Sequence, residues 1–176
     1  MPRVLVLLVA LLLTGCVAVP EGIEPVRDFD AERYLGTWYE IARLDHGFER
    51  GLTHVRADYA RREDGGIAVT NRGWDADDGA WDAARGKAYF VEDPGTAYLK
   101  VSFFGPFYGA YVVFELDPDY RWALVTGPNR NYLWLLARDP LLDPARRDAI
   151  LARAEAAGFD LEELILVPQE DPPPGA

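Results

Sequence analysis

Eight short segments with the composition of β-strands follow one another between residues 37 and 138, and a turn separates each from the next. The predicted strands are 38–44, 55–62, 67–74, 84–92, 97–104, 110–116, 121–126 and 132–138. Strong turn sequences rich in Gly, Pro and Asp stand at 64–66, 77–79, 93–95, 117–119 and 127–129. Because such short links join antiparallel neighbours, we predict an all-β, antiparallel, up-and-down sheet.

Two side chains at the ends of this strand series indicate that the sheet closes on itself. Trp38 begins the first predicted strand and Arg138 ends the last. They can meet only if the sheet curls round, with the guanidinium group stacked on the indole face. We therefore predict an eight-stranded barrel in which Trp38 and Arg138 form a structural pair at the closed end.

The interior of an eight-stranded barrel is either filled by side chains or just wide enough for one small ligand. If Trp38 and Arg138 point inward, alternation turns Glu40 and Ala42 inward as well. The other predicted inward positions are Ala57, Tyr59, Ala88, Phe90, Leu99, Val101, Phe103, Tyr111, Val113, Val125, Tyr132, Trp134 and Leu136. We expect ligand contacts from Ala57, Tyr59, Ala88, Leu99, Val101, Phe103, Tyr111, Val113, Tyr132 and Trp134. Small and aromatic residues together suit an acyl chain, although the same set could fill a solid core.

The first residues have the features of an export signal. Arg3 precedes an apolar run at 4–13 that is too short to span a bilayer, and the sequence LTGC follows at 13–16. This ending resembles the lipobox of bacterial lipoproteins, which implies a signal peptide over 1–15 and acylation of Cys16. Two or three acyl chains anchor a protein stably, since each buried methylene contributes about 0.8 kcal/mol. In this resemblance, Val17 rather than Asp after the cysteine implies the outer membrane.

Composition limits the domain count and the partners. Roughly 160 mature residues suit one domain, predicted over 29–168 after a lipidated tether at 16–28. The Pro-rich end at 169–176 is predicted to be disordered. A net charge of −11 disfavours nucleic-acid binding. Cys16 is the only cysteine, so no intramolecular disulfide forms and no thiol remains for catalysis after acylation.

One helix is predicted after the last barrel strand. Asp143 and Pro144 provide an N-cap and a first helical residue, and Gly158 provides the stop. An apolar face at Ile150, Ala154 and Ala157 indicates an amphipathic helix packed on the outside of the sheet. A short apolar strand at 164–167 should pair with the barrel edge.

Few residues have the arrangement that metal binding or catalysis requires. Asp45, His46, Glu49 and His54 lack an established metal-ligand spacing, and a loop histidine capped by polar neighbours is the simpler interpretation.

Ser102 is the only serine and has no nucleophile elbow. Acid–base chemistry by Glu40 or Glu115 would need a raised pKa. We predict no catalytic residue, no metal and no cofactor.

Polar and aromatic residues near the predicted mouth have two interpretations each. Arg43, Arg50, Arg56 and Lys100 could meet a ligand head group or could simply be solvated.

Phe103, Phe104, Phe107 and Tyr108 crowd a Gly-Pro loop. We expect an apolar patch that touches a membrane or a second copy of the chain rather than a pocket rim.

Several motifs resemble the lipocalin family. GTWYE at 36–40 is similar to its first signature, LWLLAR at 133–138 to its third, and DPDY at 117–120 stands near the place of the second. DHGFERGL at 45–52, GKAYF at 86–90 and LKVSFFGPFYG at 99–109 resemble the bacterial outer-membrane members.

The resemblance implies a lipocalin barrel with one C-terminal amphipathic helix outside, and a carrier of fatty acids or lysophospholipids rather than an enzyme. It also implies a lipid-anchored protein on the periplasmic side of the outer membrane, with a homodimer as an option. Two alternatives remain open, namely an enzyme acting on a lipid or isoprenoid inside the barrel and a structural envelope lipoprotein with a filled barrel.

Overall fold

A closed antiparallel barrel forms the body of the molecule in a computed structural model that describes residues 17–175. Its strands are β1 (Gly36–Arg43), β2 (Leu52–Arg61), β3 (Ile67–Asp75), β4 (Ala80–Phe90), β5 (Tyr98–Ser102), β6 (Gly109–Leu116), β7 (Trp122–Thr126) and β8 (Leu133–Ala137). Each strand pairs with the next, and β1 pairs with both β8 and β2, which closes the ring. The predicted eight-stranded barrel is therefore confirmed. The predicted signal peptide and Cys16 lie outside the described residues.

The helix predicted after β8 is present on the outside of the barrel. Helix α2 (Pro144–Ala156) begins after Asp143, whose side chain accepts from the Arg146 N–H, and Gly158 follows with φ 88°. Its residues Ile150 and Ala154 pack on outward-facing apolar residues of the strands. A second apolar cluster lies on the inside of the barrel, so the sheet has an apolar cluster on each face.

A short helix that the sequence analysis missed lies next to the closed end. Helix α1 (Ala31–Tyr34) has Asp30 as its N-cap, and Tyr34 at its end is buried in the barrel interior. Asp30 followed by Ala and Glu is the signal that could have identified it, but four residues are too few for a helical period to appear.

A bulge in β1 changes which residues point into the barrel. The β1–β8 register shifts between Glu40 and Ala42, so Glu40 and Arg43 lie on the inside while Ile41 and Ala42 pack in the outer cluster with α2. The prediction that Ala42 points inward is therefore wrong, because strict alternation does not survive an inserted residue.

Both segments that flank the barrel contact it. In the predicted tether, Ile23 is buried under α2 and the Val26 N–H donates to the Val113 carbonyl. Strand β9 (Ile165–Leu166) pairs with β1 as predicted. Beyond it, the Gln169 side chain donates to the carbonyls of Glu40 and Val55 at 2.9 and 2.8 Å. The prediction of disorder over 169–176 is therefore wrong for Gln169, because backbone carbonyls of β1 and β2 hold its side chain in place.

Within residues 17–175, neither helix combines the length and the apolar character needed to cross a bilayer.

Candidate ligand-binding site

The closed end of the barrel is built around Trp38. The structure places the Arg138 guanidinium carbon 4.0 Å from the centre of the Trp38 ring. Arg138 also donates to the carbonyls of Thr37, Arg33 and Leu35, each at 2.8 Å. The buried indole N–H donates to the Tyr34 carbonyl at 2.8 Å. These bonds join α1, β1 and the end of β8 into one floor.

Three tyrosine hydroxyls form a chain just above this floor. Tyr111 Oη lies 2.7 Å from Tyr34 Oη and 2.9 Å from Tyr59 Oη. Burial raises the pKa of all three phenols, so they remain neutral. Two hydrogen bonds use two of the three O–H donors, so one donor is left over at the base of the interior.

The predicted ligand-contacting residues all lie along the interior or at its rim. The buried ones are Tyr59, Ala88, Leu99 and Val113. The half-buried ones are Ala57, Val101, Phe103, Tyr111, Tyr132 and Trp134. All except Tyr132 belong to the interior apolar cluster, whereas Tyr132 stacks on Trp134 at the mouth with ring centres 6.1 Å apart. The structure therefore brings nine of the ten predicted residues together in one interior apolar cluster.

Arg43 is the one predicted mouth cation that enters the barrel. It is buried, and its Nη1 donates to Glu40 at 2.7 Å while its Nη2 donates to the carbonyls of Glu49 and Leu52 at 2.9 and 3.1 Å. Burial raises the pKa of Glu40 well above its usual range, and repulsion from Glu49 adds to this effect while Arg43 opposes it. The pair ties the inner face of β1 to the loop that follows it.

That loop, between β1 and β2, places His46 and Glu49 against the barrel mouth. Glu49 Oε2 lies 3.1 Å from His46 Nε2 and accepts from the Trp134 indole N–H at 3.1 Å. Burial opposes ionisation of Glu49, but His46, Trp134 and the Arg43 charge outweigh it, so its pKa is lowered. His46 also stacks on Phe48 at 4.0 Å. The loop is therefore held over the mouth by a buried polar network.

Sequence reasoning missed this network. His46 and Glu49 attracted attention only as weak metal ligands, and the bulge that turns Arg43 inward is invisible in the residue pattern. The spacing of i and i+3 between His46 and Glu49, in a loop rich in polar residues, is the only local signal that could have indicated a direct contact.

The other three predicted mouth cations do not line the interior. Arg50 pairs with Asp45 on the surface at 2.7 Å, and Arg56 lies 4.0 Å from Asp58. Lys100 lies on the outer face of β5, 5.2 Å from the centre of the Tyr108 ring. None of these residues supplies a head-group contact inside the barrel.

Metal binding and serine chemistry gain no support from the geometry. Among residues 17–175, no cluster of three or more His, Cys, Asp or Glu side chains could hold a metal ion. His54 contacts Thr53 and the Glu170 carbonyl instead. Ser102 Oγ is buried without a partner in the described residues. Glu115 faces outward and pairs with Arg153 of α2 at 3.1 Å, so it cannot act inside the barrel.

Three buried polar atoms are left unpaired on residues of the inward rows and the mouth. They are Arg43 Nε, His46 Nδ1 and Asn71 Oδ1, none of which has a hydrogen-bond partner within the described part of the chain. Asn71 continues the inward row of Ile67 and Val69 on β3. Unpaired buried polar atoms are costly, so these are natural contacts for polar groups of a bound molecule.

Two crevices of the described surface lie outside the barrel. One of about 400 Å³ lies beside Asp30, Arg33 and Pro118 under the closed end. The other, of about 510 Å³, lies between Leu141 and the C-terminal segment. Neither contains the convergent apolar wall that the barrel interior provides, so the interior remains the candidate site.

Known sequences resemble this chain over almost its full length. Residues 29–169 match the family described as a lipocalin-like domain. The outer membrane lipoprotein Blc of Vibrio cholerae is 52% identical over 171 residues, covering 97% of this chain and 100% of the relative. The Escherichia coli K12 protein of the same name is 51% identical, covering 96% and 97%. Temperature-induced lipocalin-1 of Arabidopsis thaliana is 35% identical over 86% of each chain.

Solved structures resemble the fold at lower identity. Insecticyanin from the tobacco hornworm Manduca sexta superposes with a TM-score of 0.70 over 88% of each chain at 17% sequence identity. At this identity the likeness bears on the barrel architecture alone.

Proposed function

The chain belongs to the lipocalin family and is an outer-membrane lipoprotein like its bacterial relatives, and from this premise we propose that it binds the acyl chain of a fatty acid or lysophospholipid inside the barrel. The bound lipid is stored or transported within the cell envelope. The observation that carries the proposal is a continuous apolar wall, half-buried at Val101, Phe103 and Trp134, above a floor sealed by Trp38.

The apolar wall accounts for most of the affinity. Ten buried methylenes would contribute roughly 8 kcal/mol, which corresponds to a micromolar dissociation constant before ordering costs are subtracted. Useful binding therefore requires most of a long chain to enter the barrel.

Polar atoms near the mouth support a ligand that carries a polar head group. Arg43 Nε and His46 Nδ1 are buried without partners in the described residues. Arg43 Nε–H can donate to a carboxylate, glycerol or phosphate oxygen, and His46 Nδ1 can accept from a ligand hydroxyl group when the ring carries its hydrogen on Nε2, toward Glu49. Arg43 already donates to Glu40, and the charge of Arg43 helps to lower the pKa of nearby Glu49, so Arg43 offers a hydrogen bond rather than an uncompensated charge. A carrier that recognises the chain more strongly than the head group is the simplest consequence.

Acylated Cys16 holds the carrier at its lipid supply. The two or three acyl chains expected there anchor a soluble domain stably, and the mouth then samples lipids without diffusion from bulk water. We place the domain on the periplasmic side of the outer membrane.

Native mass spectrometry of the mature lipoprotein tests the proposal. Delipidated protein exposed to palmitate or lysophosphatidylethanolamine should gain one ligand mass, and titration should change the fluorescence of Trp134. Val101→Trp fills the interior and should weaken binding at least tenfold, which is the loss of about two methylene contacts. Thr70→Trp adds the same bulk to the outer face of β3 and serves as the matched control.

Equal binding by Val101→Trp and Thr70→Trp would place the lipid outside the barrel. Absence of any bound mass and of any fluorescence change would instead support a structural lipoprotein with a filled barrel.

One observation favours a second candidate, an enzyme acting on a bound lipid or isoprenoid. Glu40 is buried on the inner face of β1, and its raised pKa is what a general acid or base in an apolar site needs. Conversion of a bound isoprenoid or hydroxylated lipid that is lost in Glu40→Gln, with lipid binding retained, would establish this activity. Binding without turnover would leave the carrier function alone.

A further inference from the structure

The loop between β5 and β6 exposes two large aromatic side chains beside the barrel mouth. Phe104 is 80% exposed and Phe107 is 78% exposed, more than any other large hydrophobic residue of the described chain. Neighbouring exposed aromatics of this size are rare on soluble surfaces unless they contact a partner or a membrane.

Basic residues lie next to these aromatics on the outer face of β4 and β5. Lys87 Nζ lies 5.9 Å from the centre of the Tyr89 ring, and Lys100 Nζ lies 5.2 Å from that of Tyr108. They are the only two lysines in the chain, and exposed Arg85 stands two residues before Lys87. In a protein with a net charge of −11, both lysines are thus confined to one face.

Within the described residues neither lysine forms a salt bridge, and the acidic group beside Tyr89 is already paired. Asp64 pairs with Arg62 at 2.7 Å and accepts from the Tyr89 hydroxyl at 2.9 Å. The positive charges of Lys87 and Lys100 therefore remain available to an outside partner.

The chain leaves the domain toward its anchor on the same face. The Tyr98 hydroxyl donates to the carbonyl of Val17, the first described residue. Tyr98 and Lys100 are two apart on β5 and therefore point to the same side of the sheet. Val17 therefore lies on the side of the sheet that presents Lys100, and the proposed acylation site is the residue before Val17 in the sequence.

We propose that this face, comprising Lys87, Lys100, Phe104, Phe107 and Tyr108, docks on the bilayer leaflet that holds the acyl chains of Cys16. The two phenylalanines enter the boundary between head groups and acyl chains, and the lysines bind anionic head groups. The rest of the acidic surface is repelled by the same lipids, which fixes one orientation. Because the β5–β6 loop borders the mouth, the barrel opens at the membrane surface. The inference rests on the proposed acylation of Cys16.

The absence of any second cysteine makes a sharp test possible. In the mature lipoprotein the native thiol is acylated, so Phe104→Cys offers a single site for an environment-sensitive NBD label. The labelled lipoprotein is reconstituted in vesicles of equal parts phosphatidylcholine and phosphatidylglycerol. We expect a blue shift and quenching by doxyl-labelled lipids. The same label at Leu141→Cys, which is 60% exposed on another part of the surface, should show neither effect.

Charge variants test the electrostatic contribution of the lysines to docking. Lys87→Gln with Lys100→Gln should lower the ratio of docked to undocked protein roughly thirtyfold, about fivefold per lysine. Arg146→Gln with Arg147→Gln removes two positive charges from α2 and should leave the ratio unchanged. Pure phosphatidylcholine vesicles should reproduce the effect of the lysine variants.

Three outcomes would overturn the proposal. One is an NBD label at position 104 that the doxyl lipids do not quench, although the intact mass shows that the protein is acylated. Another is an equal response at position 141. The third is a blue shift in detergent that grows with protein concentration, which would assign the face to a second copy of the chain. Intact mass without acyl chains would instead contradict the anchor itself.

Discussion

Arg138 does more than stack on an aromatic ring. Its guanidinium group donates to four backbone carbonyls, those of Thr37, Arg33, Leu35 and Tyr120, while covering the Trp38 ring. These acceptors belong to the end of α1, the start of β1 and the turn between β6 and β7. One side chain from the end of β8 thus satisfies the backbone at the closed end.

Replacing Arg138 tests how much this floor contributes to stability. Arg138→Ala should lower the free energy of unfolding by about 1–3 kcal/mol, because it uncovers Trp38 and leaves carbonyls unpaired. Urea unfolding followed by tryptophan fluorescence measures the change. Arg50→Ala removes a surface arginine that pairs with Asp45 and should leave the midpoint unchanged. A midpoint for Arg138→Ala equal to that of Arg50→Ala would refute the structural role.

Glu40 makes the stability of the domain depend on pH. The pKa of Glu40 is raised in the folded protein above the ordinary value of 4.5. Protonated Glu40 therefore contributes fully to the free energy of unfolding below pH 4.5, and this contribution is lost as pH rises through the folded pKa. Glu40→Gln keeps an acceptor for Arg43 and removes the ionisation. The variant should therefore gain stability relative to the parent protein as pH rises above the ordinary glutamate value of 4.5. Urea unfolding measures the pH dependence of stability in both proteins. An equal dependence would show that ionisation of Glu40 does not lower the free energy of unfolding.

At the scale of elements, strands and helix α2 follow from local chemistry, whereas irregular features do not. The cap at Asp143 and the stop at Gly158 act within a few residues, and the turn sequences between strands act in the same way. The bulge between Glu40 and Ala42 depends on how β1 matches β8, nearly a hundred positions away. Alternation alone therefore assigned Ala42 to the interior and could not decide whether Arg43 at the mouth meets a ligand head group or is solvated.

The C-terminal segment closes a gap that strand prediction does not reveal. Strands β1 and β2 pair only from Gly36 to Tyr39 on the β1 side and then separate. Beyond that point, β9 and Gln169 occupy the space between them. The composition of a Pro-rich tail predicts disorder, but the unpaired carbonyls of two separating strands provide acceptors that hold it.

Gln169 tests this closure. Gln169→Ala should cost about 1–2 kcal/mol of unfolding free energy, since the carbonyls of Glu40 and Val55 lose their donor. Hydrogen exchange at the His54 N–H, which donates to the Pro168 carbonyl, should accelerate. Glu170→Gln changes an exposed neighbouring side chain for which the described residues provide no hydrogen bond or ion pair, and it serves as the control. Unchanged exchange at His54 in Gln169→Ala would show that β9 alone holds the tail.

For the whole molecule, the closed barrel, its outer helix and its place at the outer membrane were predictable and are confirmed. Closure was predictable because Trp38 and Arg138 stand at opposite ends of the strand series. The volume of the interior that stays open was not predictable, since side chains such as Val101 and Trp134 can either fill a core or line a cavity. That choice depends on the packing of all eight strands together.

The dependence of affinity on acyl-chain length distinguishes an open interior from a filled one. If the chain enters methyl end first, each added methylene should strengthen binding about fourfold, from about 0.8 kcal/mol per buried methylene. The gain must stop when the chain reaches the floor at Trp38 and the hydroxyl chain of Tyr34, Tyr59 and Tyr111. Calorimetric titration of the delipidated lipoprotein with saturated fatty acids of increasing length, each below its critical micelle concentration, measures the slope and the plateau. Val101→Trp should move the plateau to shorter chains, and Thr70→Trp should not. Affinity that rises without limit, or not at all, would place the chain on the outer surface of the barrel.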